Sequence, residues 1–167
     1  MAVHIAQRIG VFADVSNLYH SARHLYGAKV NYRELLKEAT RDRALIRAIA
    51  YVIRAEEMGE SKFFEALGHA GWEVKAKDLQ IFAGGAKKGD WDTGIAMDAI
   101  ELAPKLDVVV LISGDGDYVP LVEHLKRASA CRVEVIAFGK SASGKLIEAA
   151  DEFIDLDKEP KRFLIKK

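Results

Sequence analysis

Sulfur and proline are scarce in this chain, with one cysteine (Cys131) and three prolines among 167 residues. A lone cysteine excludes an internal disulfide framework and any zinc site made of several thiolates. Its neighbours Ala130 and Val133 mark it as a small buried residue rather than a reactive thiol. No apolar stretch approaches the roughly 20 residues needed to span a bilayer, which argues against a membrane protein. Residues 1–8 lack the basic-then-apolar order of a signal peptide, so a cytoplasmic location is expected. Net charge is missing too. The 25 basic and 25 acidic residues cancel, so an affinity for nucleic acid would rest on a local basic patch. There is no internal repeat, low-complexity linker or break in composition.

What remains is one soluble globular domain, half hydrophobic and 30% charged. Strands and helices alternate along it. Strands are predicted over 8–14, within 45–54, over roughly 72–82, 107–113 and 132–138, with an edge strand at 151–156. Helices are predicted over 17–26, 32–40, 60–70, 93–103, 117–128 and 143–149, and the stretch 84–89 is a loop by its glycines. The run Val108–Ile112 is apolar without interruption, as suits a strand covered on both faces. This order predicts an α/β fold, a three-layer sandwich around a mostly parallel central sheet. Residues 1–7 form an N-terminal extension, 8–157 the domain, and 158–167 a loosely held basic tail.

In such a fold the C-terminal ends of the strands and the first turns of the following helices share one edge, where ligands bind. Asp14 ends the first predicted strand, and Asp115 follows the central one in Ser113-Gly114-Asp115-Gly116-Asp117. Asp92 heads a helical pattern on the side of Ile95, Ala96 and Ala99, so it points at the same edge. Carboxylates gathered there repel unless a cation holds them, and oxygen-only ligands suit Mg²⁺ or Mn²⁺. Asp98, at the margin of that helical stripe, is a further ligand or a support for one. Asp117 is read either as the cap of its own helix or as part of the acidic site. Asn17 caps the first helix or orders Asp14, with Ser16 as the other candidate cap. Ser113 donates to a phosphate or holds Asp115. No Ser-His-Asp or Cys-His spacing supports covalent catalysis, so hydrolysis would use metal-activated water.

Three elements together resemble the NYN-domain family, in its LabA-like branch of PIN-like nucleases. They are Asp14-Val15-Ser16-Asn17, Lys88-Gly89-Asp90-Trp91-Asp92 through Asp98, and Ser113-Gly114-Asp115-Gly116-Asp117-Tyr118-Val119-Pro120-Leu121. The resemblance implies a PIN-like fold and a Mg²⁺ or Mn²⁺ site made by aspartates. It also implies ribonuclease activity leaving a 5′-phosphate. Carried over by position, Asp14, Asp92, Asp115 and Asp117 are the catalytic acids, and Asp14, Asp92, Asp115 and Asp98 the metal ligands. Val15 departs from the family, where glycine is frequent after the first acid.

RNA is the expected partner, and a homodimer is left open. Lys88, Lys140, Ser143, Asn17 and Ser113 are candidate substrate contacts, and Trp91 either stacks on an unpaired base or packs on the sheet edge. Arg41 and Arg43 read as ordinary surface. Gly139–Lys145 matches a Gly-x₄-Gly-Lys phosphate loop, but Leu146 stands where Ser or Thr would hold Mg²⁺, which argues against a nucleotide-triphosphatase. Backbone contact from that loop to a substrate phosphate stays open. His20 and His24 lack the zinc-protease pattern, since Ser21 follows His20. The competing function is a regulatory domain that binds nucleic acid or a nucleotide in the same crevice and turns over nothing.

Overall fold

Residues 5–54, 60–81, 83 and 87–165 are described by the computed structural model of the chain, the side chains at 60, 80, 81, 87 and 88 excepted. In chain order the elements are β1 (Arg8–Asp14), α1 (Val15–Tyr26), β2 (Lys29–Val30), α2 (Tyr32–Thr40) and β3 (Ala44–Arg54). Next come α3 (Glu60–His69), β4 (Glu73–Asp78), β5 (Gln80–Ile81), β6 (Lys87–Lys88), α4 (Asp92–Leu102) and β7 (Val108–Ile112). The chain continues through α5 (Val119–Arg127), β8 (Arg132–Ala137), α6 (Gly144–Ala149), β9 (Glu152–Asp155), α7 (Pro160–Phe163) and β10 (Leu164–Ile165). The expected strand over 72–82 is shorter, because residues 80–81 leave the sheet and pair antiparallel with 87–88. Of the expected loop at 84–89, residues 84–86 fall outside the described residues, as do residues 1–4 of the expected N-terminal extension.

Six strands pair in the order β4-β3-β1-β7-β8-β9, every neighbour parallel. Parallel pairing demands a crossover between strands, and the helices supply it. Alternate side chains of each strand enter opposite cores. Ile9, Val11 and Ala13 join Val108, Val110 and Ile112 under α1, α2, α3 and α7. Phe12 joins Val109 and Leu111 under α4, α5 and α6. Each fully buried Val, Leu, Ile or Phe contributes about 1.5–3 kcal/mol, so the two-sided central strands dominate stability. Among the described residues no helix is long and apolar enough to cross a membrane.

The chain moves outward from β1 to β3 and β4, then returns through α4 to β7 on the other flank of β1. Strand order therefore reverses between β1 and β7. Their register sets Ala13 beside Ile112, which brings Asp14 and Ser113 level at the C-terminal edge.

Two sequence expectations change here. Residues 158–165 are not a loose tail. Phe163 and Leu164 are 1% and 7% exposed, β10 pairs with β2, and Arg162 bonds Glu34 and Glu38 on α2. Apolar side chains among the basic ones dock the segment. Arg43 is not surface either. Both its terminal nitrogens meet the fully buried Glu134 at 2.9 Å, and Arg41 and Arg132 add bonds of 2.7 and 3.0 Å to that carboxylate. A buried carboxylate requires such partners. Cys131 is buried with its sulfur against Ala103 and Leu106 carbonyls, and burial pushes the thiol pKa up.

Candidate metal centre

Asp14, Asp92 and Asp115 converge at the reversal of strand order. Each offers a carboxylate oxygen within 4.8 Å of those of the other two. Three different elements deliver them. Asp14 is the last residue of β1 and also the N-cap of α1, its Oδ1 accepting from the Asn17 N–H at 3.3 Å. The cap is thus neither Asn17 nor Ser16. Asp92 opens α4, and Asp115 caps the short turn after β7 by accepting from the Asp117 N–H at 2.9 Å.

A network of neutral donors holds the acids. Ser113, fully buried, donates to Asp14 Oδ2 at 3.2 Å and accepts from the Asp115 N–H at 3.2 Å. Its hydroxyl is spent on the two acids and does not reach out to a phosphate. Tyr118 donates to the same Asp14 oxygen at 3.2 Å and lies within reach of Asp92 as well. Asn17 accepts from the Gly114 N–H at 3.0 Å, tying the start of α1 to the loop after β7. That loop lies flat against residues 142–143. A Cβ on Gly114 would stand 3.0 Å from Ala142 Cα, and one on Gly116 2.9 Å from Ser143 Oγ, so only glycine fits without displacement.

Electrostatics follow from this crowding. Burial raises the pKa of Asp14, although hydrogen bonds from Asn17, Tyr118 and Ser113 work against it. Asp92 is pushed up to about 6, first by burial and then by the charges of Asp115, Asp90 and Asp14, against a bond from Tyr118. Burial and the two neighbouring carboxylates also raise the Tyr118 hydroxyl, which stays a donor at any ordinary pH. Two carboxyls that resist ionisation beside a third are a site short of positive charge. An all-oxygen donor set of this kind fits a hard divalent cation.

Other expected site residues lie elsewhere. Asp98 does not join the three acids, because its Oδ2 accepts from Tyr51 at 2.8 Å and from Lys75 at 2.7 Å. Burial works to raise the Asp98 pKa, but Lys75 and Tyr51 outweigh it and hold the carboxyl below its ordinary value. Asp117 is exposed beside Asp115 and outside the three-acid cluster, and it is not the cap of its helix. Trp91 donates to the Val52 carbonyl at 2.8 Å, with Tyr51 against its ring at 5.2 Å and the Lys77 ammonium 4.5 Å from the ring centroid. That is the sheet-edge packing rather than an open stacking face. The Lys88 side chain lies outside the described residues.

Five of the seven backbone N–H groups of the Gly139–Lys145 loop are taken. Gly139 and Lys140 donate to Asp155 and Asp157, and Ser141, Ala142 and Ser143 donate to carbonyls. Ser143 caps α6 through Leu146, while Lys140 extends over the Tyr26 ring. Those bonds leave the N–H groups of Gly144 and Lys145, in the first turn of α6, as the loop's remaining donors. His20 and His24 are exposed on α1.

Tyr118 is the site residue that sequence reasoning missed. The signal was its place three residues after Asp115 at the start of a helix, where neighbours at that spacing share a face.

A cyanobacterial relative, "Low amplitude and bright protein LabA" of Synechococcus elongatus, is 27% identical over 158 residues, spanning 90% of this chain and 84% of that one. The crystal structure of a Vibrio parahaemolyticus protein of unknown function superposes with a TM-score of 0.87 at 36% identity, covering 99% of this chain and all of that one. The PIN-like α/β sandwich expected from the sequence is therefore the fold of this chain. The NYN domain family model matches residues 8–157. The chain belongs to the NYN domain family.

Proposed function

We infer that the chain is a metal-dependent endoribonuclease, with Mg²⁺ or Mn²⁺ bound by Asp14, Asp92 and Asp115. The observation that carries this reading is the meeting of those three carboxylates, from β1, α4 and the loop after β7, within 4.8 Å of one another. A divalent ion held there would activate water and neutralise charge on the attacked phosphodiester. The chain's own contribution is orientation. Ser113, Tyr118 and the Asn17 N–H fix the Asp14 carboxylate, and Ser113 also fixes the backbone that carries Asp115. Pre-set ligands of this sort need no rearrangement as the substrate arrives. Asp117, exposed two residues beyond Asp115 and outside the three-acid cluster, would orient the attacking water. Water oxygen bonds to phosphorus and the bond to the 3′-oxygen breaks, leaving a 5′-phosphate on the product.

The test is cleavage of a labelled single-stranded RNA with Mn²⁺ by the parent chain and by Asp14→Asn and Asp115→Asn. Expected are 5′-phosphate products from the parent, abolished by chelation and in both variants. Equal cleavage by parent and variants would refute the assignment, and tight binding of RNA with no cleavage would favour a regulatory domain instead.

A further inference from the structure

A second concavity lies against α1 and is lined by none of the three acids. It encloses about 630 Å³ between α1, the β2–α2 segment and α3. That volume falls within the about 300–1,000 Å³ of ordinary small-ligand sites. Three rings line it, Tyr19, Tyr32 and Phe63, with Tyr32 and Phe63 packed edge to face at 5.7 Å. Three cationic residues, Lys29, Arg33 and Lys62, share the lining with Asn31, and among the described residues no Asp or Glu does. Aromatic walls with cationic side chains beside them match a planar base carrying a phosphate. An aliphatic ligand would use the rings but offer no anion to Lys62 and Arg33.

The position ties this cavity to the acidic centre. Tyr19 stands five residues beyond Asp14 on α1, a rise of about 7.5 Å along the helix. Among the described residues nothing hydrogen-bonds the Tyr32 hydroxyl, which leaves a donor in the wall for a ligand.

We propose that this cavity binds one nucleotide, its base against Tyr32 and Phe63 and its phosphate toward Lys62 and Arg33. The proposal rests on the nuclease reading only for the source of that nucleotide, an RNA strand whose neighbouring phosphodiester lies at the three acids. A free mononucleotide has the same chemistry.

The experiment measures equilibrium binding in EDTA, where no cleavage occurs, using a fluorescent single-stranded oligoribonucleotide and, as competitor, a 5′-mononucleotide. Lys62→Glu reverses a charge at an exposed position, and Ala66→Trp fills the cavity from its exposed side. Both are expected to weaken oligonucleotide binding about tenfold, the loss of roughly one stacked base or one ion pair. Competition by the mononucleotide would identify a site open to free nucleotides, and its failure a site that takes a nucleotide only within a strand. Parent-like binding by both variants, with melting curves showing them folded, would overturn the proposal, as would the absence of any binding by the parent. Cleavage with Mn²⁺ is scored separately: weakened binding in the variants stands even if the parent cleaves nothing, and a parent that cleaves alongside variants that bind normally removes the cavity alone.

Discussion

Tyr118 donates to Asp14 across 104 residues of sequence, from the turn that opens α5 to the residue that closes β1. The ring is almost wholly buried in the core beneath α4 and α5, so the hydroxyl has little freedom to point elsewhere. Tyr118→Phe keeps that ring and deletes the donor. Cleavage with Mn²⁺ is expected to fall about 10–100-fold, as when a supporting bond to a metal ligand is lost, with little change in melting temperature. Undiminished cleavage would show that Ser113 and the Asn17 N–H orient Asp14 unaided.

Asp92 links the centre to stability. Its carboxyl rises from 3.8 to about 6 on folding. A carboxyl raised in this way favours the fold fully below pH 3.8 and loses that contribution as pH climbs through 6. In EDTA, the advantage of Asp92→Asn over the parent should therefore be greater at pH 8 than at pH 4. After allowing for solvent screening the difference is about 1 kcal/mol, or about 2–4 °C in melting temperature. Added Mn²⁺ should raise the parent's melting temperature at pH 8 and do so less for the variant. An advantage independent of pH would separate Asp92 from the repulsion described above.

The alternation of elements, the central strand Val108–Ile112 and the common edge of Asp14, Asp92 and Asp115 were legible from the sequence, because each depends on local periodicity and on a rule of parallel sheets. What was not legible depended on partners far along the chain. Helical angle alone turned Asp98 inward, but Lys75 on β4 takes its carboxylate. Arg43 looked exposed because the carboxylate that buries it, Glu134, lies 91 residues away. A charge between Val133 and Val135 within an apolar strand was the available hint. The closing segment looked basic, yet Phe163 and Leu164 decide its fate.

Asp98 gives the sharpest contrast with Asp14. Both stand on elements that border the crevice, but Asp98 is ion-paired with Lys75 and hydrogen-bonded by Tyr51. Asp98→Asn should leave cleavage within about threefold of the parent and cost about 1 kcal/mol of stability, the scale of a partly exposed pair. Asp14→Asn should lose more than the roughly 100-fold of a missing supporting bond. Comparable losses in the two variants, measured with Mn²⁺ at saturation, would return Asp98 to the metal site.

Glu134 carries the largest predicted stability cost. It is fully buried, and Arg43, Arg41 and Arg132 all bond to it. Burial alone would raise its pKa, but the Arg43 bonds and the charges of Arg41 and Arg43 outweigh that and lower it. A lowered carboxyl adds stability above its unfolded value of 4.5 and surrenders it as pH falls. Glu134→Gln removes the charge while the buried Arg43 guanidinium remains, which should cost about 3–5 kcal/mol in urea unfolding at pH 7. Arg47→Ala, which breaks a half-exposed pair with Glu73, should cost under about 1 kcal/mol. The penalty for Glu134→Gln should begin to shrink by pH 4, because below 4.5 the unfolded parent takes up a proton that the folded carboxyl still resists. A penalty constant from pH 7 to pH 4 would mean that Glu134 acts through shape and hydrogen bonding, with its charge contributing nothing to the fold.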